Sequence, residues 1–281
     1  MTLTVTAIVI LGGMGLIFAL FLALANRKLW VWEDPRIEVV ASMLPSANCG
    51  GCGLPGCRAF AEEAVAGKVT PAQCNVANDD VHKAIASFLG VDAGTAVRKV
   101  ARLQCAGGCD VAVNRAEYRG LPTCAAAAAV AGGGKGCSWG CLGLADCEHA
   151  CTFGAIRMSE SGLPVVDPVL CTACGDCVDA CPKGLFTLMP SDYRLLVQCK
   201  NLVNGDAAAV QCSVACTACG KCVLDAAPGL ISVASGVAVI NYELYAQANE
   251  RAVARCPTGA IVWLHGAQFS PAPELAGSET A

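Results

Sequence analysis

Aromatic side chains make up 5% of this 281-residue chain and charged side chains 15%. No run of Lys or Arg exceeds two residues, and the net charge is −4. A nucleic-acid partner would find no electrostatic footprint to bind. Histidine is scarce: His82, His149 and His265 are scattered and read as surface or packing residues rather than ligands. No nucleophile–base pair, phosphate-cradling loop or nucleotide fingerprint is present, so no catalytic residue is assigned. Charge is missing altogether from Met1 to Asn26.

That first gap is filled by apolar residues. Thr4 to Ala25 spans about 33 Å as a helix at 1.5 Å per residue, enough to cross a hydrocarbon core. There is no basic segment before it, as a signal peptide would have, and Arg27 and Lys28 follow it. The reading is a permanent single-pass anchor. The positive-inside rule then places the rest of the chain on the cytoplasmic side of a cell (inner) membrane. A reducing cytoplasm also suits its many thiols. Gly15, Ala19 and Ala23 form a small-residue stripe on which another membrane helix could pack. Trp30 and Trp32 stand where interfacial aromatics are expected.

The chemistry is in the 21 cysteines. Cys171, Cys174, Cys177 and Cys181, followed by Pro182, follow C-x2-C-x2-C-x3-C-P, the run that holds a 4Fe-4S cluster. In that arrangement the fourth thiolate ligates a neighbouring cluster, so a second cysteine set is required. A lone C-x2-C pair would favour zinc; four cysteines at this spacing favour iron–sulfur. The partner set is Cys137, Cys141, Cys147 and Cys151, with Leu144 at the middle ligand position. Cys137 can replace the missing thiolate. Crossing then gives one cluster on Cys137, Cys141, Cys147 and Cys181, and another on Cys151, Cys171, Cys174 and Cys177. Upstream, Cys49, Cys52, Cys57 and Cys74 bracket glycines and a predicted amphipathic helix from Arg58 to Lys68, a closed four-thiolate site in which zinc is the competing occupant.

The pattern then repeats. Cys216-Thr-Ala-Cys219-Gly-Lys-Cys222 nearly duplicates Cys171-Thr-Ala-Cys174-Gly-Asp-Cys177. Position 226 is Ala, and Cys256-Pro257 occupies the place of Cys181-Pro182. The losses fall on one cluster of the second module; Cys216, Cys219, Cys222 and Cys256 keep the other. Four sites of four leave Cys105, Cys109, Cys124, Cys199 and Cys212. Cys105, Cys124, Cys199 and Cys212 either meet at a further metal site or stay as unligated buried thiols. Leu142, Leu144, Val178, Leu185, Phe186 and Ile261 read as core that also shields clusters. Lys183 and Lys200 read as surface charge that could meet an acidic partner.

The order of these parts resembles the B subunits of Rnf-type ion-translocating ferredoxin:NAD oxidoreductase complexes, in their long form. The resemblance rests on the anchor, the Cys49–Cys74 set, Gln104-Cys-Ala-Gly-Gly, the Gly140-Cys-Leu-Gly-Leu-Ala-Asp-Cys stretch and the doubled ferredoxin motif. It implies an electron relay between soluble ferredoxin and other membrane and flavin-bearing subunits, coupled to Na⁺ or H⁺ translocation. The competing readings are a membrane-anchored polyferredoxin of a hydrogenase or dehydrogenase, and a non-redox metal-binding protein. The expected fold is α+β: anchor 1–28, four-cysteine domain 29–90, connecting region 91–135, ferredoxin-like module with two clusters 136–190, degenerate module with one cluster 191–265, and disordered tail 266–281. Four 4Fe-4S clusters are expected, with a fifth open.

Overall fold

The computed structural model describes residues 2–29, 32–203 and 205–269. Helix α1 (Thr2–Leu29) stands apart from the rest. Val5–Leu29 has mean hydropathy 2.7 and buries none of its surface against the protein. By length and composition it can cross a membrane. Trp30 lies outside the described residues, and Trp32 is exposed.

Three short helices then build the N-terminal domain. In α2 (Pro35–Met43) Pro35 holds the first position, and the Asp34 carboxylate accepts from the Arg36 amide. Helix α3 (Cys57–Val65) is amphipathic: Phe60, Ala61 and Ala64 are buried and Glu62 is exposed. Helix α4 (Asp79–Leu89) starts at Asn78, whose side chain accepts from the Val81 amide, and stops at Gly90 in the left-handed region. Val40, Leu44, Phe60 and Ile85 close one small core between them.

The remainder is one topology written twice. The first copy runs β1 (Lys99–Leu103), α5 (Cys124–Ala129), α6 (Asp146–Ala150), β2 (Ile156–Met158), β3 (Pro164–Val166), α7 (Asp176–Asp179) and β4 (Phe186–Pro190). The second runs β5 (Leu195–Val197), α8 (Gly205–Gln211), α9 (Lys221–Asp225), β6 (Ile231–Ala234), β7 (Val237–Ile240), α10 (Arg251–Ala254) and β8 (Ile261–Trp263). In each, the first and last strands pair antiparallel and the middle two form a hairpin. The first module therefore begins in the stretch expected to be only a connection, since β1 is its outer strand. Its end also departs from expectation. Gln268, expected in a disordered tail, is buried and brackets Leu103, accepting from its amide and donating to its carbonyl. Phe269 packs on the same core. Residues 270–281 lie outside the described residues.

Each module has its own core, and Met189, Leu196 and Leu264 make a third cluster flanked by Tyr193 and Tyr242. Tyr193 stacks on Tyr242 and Tyr245 with ring centroids 5.3 and 3.9 Å away. Leu196 is fully buried there. Leu196→Ala is expected to cost about 2–5 kcal/mol by loss of burial and cavity formation. A lower denaturation midpoint for the second module checks this.

Candidate iron–sulfur sites

The N-terminal loop is shaped by its own side chains. Asn48 Oδ1 accepts from the Cys57 amide at 2.9 Å, drawing the ends of the loop together. His82 Nε2 donates to the Cys74 carbonyl at 3.1 Å, a positioning contact rather than a ligand. Cys49, Cys52, Cys57 and Cys74 line one pocket walled by Leu44 and Phe60.

In the first module Cys151, Cys171, Cys174 and Cys177 line one pocket. The Ala101 amide donates to Cys171 Sγ at 3.5 Å. Ala173 and, in the second module, Ala218 both have positive φ, at 57° and 56°. Both Cys-Thr-Ala-Cys loops thus share one unusual bend. The second module's Cys216, Cys219, Cys222 and Cys256 line another pocket. Cys219 is exposed, whereas its three companions are at least half-buried.

The remaining cysteines group differently from the sequence expectation. The sulfurs that oppose ionisation of Cys147 are Cys141, Cys124 and Cys181. The physical link is Asp146, next to Cys147, whose carboxylate accepts the Cys124 and Ala125 amides at the start of α5, both at 2.9 Å. Asp146 thereby holds the start of α5 beside Cys147. Cys137 lines a pocket with Cys105, Cys199 and Cys212. Cys109 is exposed and belongs to none of these sets.

Burial, then the charge of neighbouring sulfurs, pushes the Cys141, Cys147 and Cys177 thiols up to about 12. The same causes carry Cys222 to about 11. Cys256 goes the other way: burial raises it, but amide donors led by Ile261 outweigh that and lower it. Such thiols suit a polycationic core that replaces their protons.

Arg102 is 3% exposed on β1 and its Nε has no partner. Burial lowers its basicity, and the Cys171 sulfur is the charged group that opposes this. Lys183 and Lys200 are less free than the sequence implied: they donate to the carbonyls of Ser138 and Gly184 at 3.0 and 2.6 Å. Leu185, Phe186 and Ile261 are core, while Leu142, Leu144 and Val178 are half-buried.

Two family models match: "Putative Fe-S cluster" over residues 44–76 and "4Fe-4S dicluster domain" over 137–186. Relatives agree along nearly the whole chain. The B subunit of the Na(+)-translocating ferredoxin:NAD(+) oxidoreductase complex of Acetobacterium woodii is 46% identical, over 90% of this chain and 75% of its own length. The B subunit of the proton-translocating ferredoxin:NAD(+) oxidoreductase complex of Clostridium ljungdahlii is 37% identical over 93% of both. The B subunit of the ion-translocating oxidoreductase complex of Methanosarcina acetivorans is 36% identical, over 92% of this chain and 97% of its own. The chain belongs to the Rnf B-subunit family.

In this Rnf B subunit the N-terminal and first-module sites are in direct contact. Asn75, next to Cys74, donates to the Thr172 carbonyl at 2.9 Å and exchanges two hydrogen bonds with Lys99. Gly51 lies so close that a Cβ there would stand 2.5 Å from the Thr172 carbonyl oxygen. The two cysteine loops therefore abut backbone to backbone. Gly51→Ala is expected to part them at about 1–3 kcal/mol. The measurement is protease nicking within residues 91–98, which should accelerate severalfold.

Proposed function

We propose that this chain carries electrons one at a time from reduced ferredoxin towards the membrane and flavin-bearing subunits of its complex, and onward to NAD. The observation that supports this best is the contact between successive cysteine loops, Gly51 against Thr172. Four sets are assigned to 4Fe-4S clusters: Cys49, Cys52, Cys57, Cys74; Cys151, Cys171, Cys174, Cys177; Cys124, Cys141, Cys147, Cys181; and Cys216, Cys219, Cys222, Cys256. Each cluster, when bound, supplies reversible one-electron chemistry.

What the chain itself does is hold, insulate and tune. The amides of Ala101 and Leu185 donate to Cys171 and Cys181 Sγ, both at 3.5 Å, and stabilise negative charge there. Leu188 and Phe60 keep water from the cavities they wall. The crossed connection of α6 and α7 places Cys147 and Cys151 on different sites a single turn apart.

Electrons from a diffusing protein are proposed to arrive at the second module, where Cys219 is exposed. They leave through the N-terminal site, the nearest in sequence to the anchor. The anchor is assigned as a single pass of the inner membrane with the bulk of the chain in the cytoplasm. Residues 5–26 carry no charged side chain, so the ion path is assigned to partner subunits. The names of two relatives carry different ions, Na⁺ and H⁺.

The test is anaerobic mixing of the purified chain with sub-stoichiometric reduced ferredoxin. Broad visible absorbance should bleach stepwise as electrons are taken up. Stoichiometric zinc and no bleaching would overturn the assignment. A second expectation concerns Arg102, the buried cation beside Cys171. Arg102→Met should make the Cys151/Cys171/Cys174/Cys177 cluster harder to reduce by at least tenfold in the equilibrium, about 59 mV for a one-electron couple. A redox titration followed by electron paramagnetic resonance checks it, with Arg102→Lys retaining most of the native potential.

A further inference from the structure

The four assigned sites leave a break between the two modules, and the structure places four further cysteines in it. Cys105 lies two residues after β1, and Cys199 two residues after β5. Each follows a glutamine, Gln104 and Gln198. These glutamines make matching bonds, from the Gln104 amide to the Leu185 carbonyl at 2.8 Å and from the Gln198 amide to the Ala260 carbonyl at 2.7 Å. Cys137 precedes Cys141 by four residues, as Cys212 precedes Cys216. The Cys141 amide donates to Cys105 Sγ at 3.4 Å, and the Cys216 amide to Cys199 Sγ at the same distance. Each module thus contributes an equivalent pair of thiols, turned towards the other module.

The two pairs meet. Cys105, Cys137, Cys199 and Cys212 line one pocket, as the cysteines of three of the other sets line theirs. The Ala106 amide donates to the Gln198 carbonyl at 3.0 Å, and Ala112 bridges to Cys212, which fixes the modules against each other. Gly107 leaves room: a Cβ there would lie 3.1 Å from Cys212 Sγ. The Lys135 ammonium sits in the same wall, donating to the carbonyls of Gly107 and Cys141 at 2.5 and 2.7 Å. It supplies positive charge beside an otherwise anionic site.

We propose that Cys105, Cys137, Cys199 and Cys212 hold a fifth 4Fe-4S cluster shared between the two modules. The inference rests on the reading that the four other sets hold clusters. Its role is to join the second module's site to the first module. When bound, the group would supply reversible one-electron chemistry between the Cys216 set and the Cys124 set. The sulfurs of Cys199 and Cys105 already receive amide donors from ligands of the sites on either side. The cluster also cross-links the modules, with two ligands from each.

The test is iron and acid-labile sulfide per full-length chain, purified anaerobically. About twenty iron, four for each of five clusters, is expected. About sixteen would overturn the fifth site and leave the relay standing. Little iron would overturn the relay itself. Grouping is decided by double substitution. Cys137→Ala with Cys199→Ala should retain about sixteen, no fewer than either alone. Cys124→Ala with Cys199→Ala should retain about twelve. The reverse pattern would return Cys137 to the Cys141 site and sink the proposal. Cys109→Ala should keep about twenty; loss of four there would equally overturn the ligand set.

Discussion

Sulfur crowds the interior of this chain in places where water is largely excluded. A buried thiolate is unfavourable because it leaves water, and several facing one another repel as well. That mutual cost raises Cys141, Cys147 and Cys177 so far above an ordinary thiol. A cationic core turns the same repulsion into ligation, and its binding becomes part of folding. Much of the architecture follows. The modules' strands of three to five residues and helices of four to seven cannot bury much apolar surface between them. The modules have small cores, and the thiols contribute to them, some buried within (Cys147, Cys171, Cys177 and Cys216) and others packed against them.

The motif with spacing C-x2-C-x2-C-x3-C and the weakened copy after it were legible because ligands close in sequence must be close in space. The structure gathers Cys49 to Cys74, Cys151 with Cys171 to Cys177, and Cys216 to Cys256 as their spacing implied. The proposed grouping exchanges Cys137 and Cys124 relative to the sequence expectation. Cys137 is near Cys141 along the chain, and proximity favours it there. What supports the exchange is Asp146, a carboxylate that caps a helix begun 22 residues earlier and holds Cys124 near Cys147. No local pattern announces that bond. The Gln-Cys pair at 104–105 and again at 198–199 was a usable signal for the shared site, since a repeated dipeptide after equivalent strands marks equivalent positions. Strand β1 was missed because its partner β4 lies more than 80 residues on. Gln268 was missed because a single side chain, not a periodic segment, ties the terminus to Leu103.

Duplication gives the chain its plan, and unequal loss gives each copy its part. The first module keeps thiols on both of its cluster positions, one of them restored through α5. The second keeps a single position and has Ala226 where a ligand would begin the other. Between them, the pairs that follow β1 and β5 face each other across the module boundary. A site assembled from halves of two repeats makes their relative placement a matter of ligand geometry, in addition to apolar contact around Leu196 and the tyrosine stack.

Cys219 has a consequence of its own. It is exposed, and in the proposed relay it is the ligand through which an outside protein is met. An opening wide enough for that encounter also admits dioxygen and peroxide, since susceptibility of cysteine to oxidation follows access. In the proposed relay, damage from solvent therefore begins at the entry site. There, loss of one cluster disconnects the donor before the buried sites are reached, and an aerated complex stops drawing electrons while the rest of its iron is still in place.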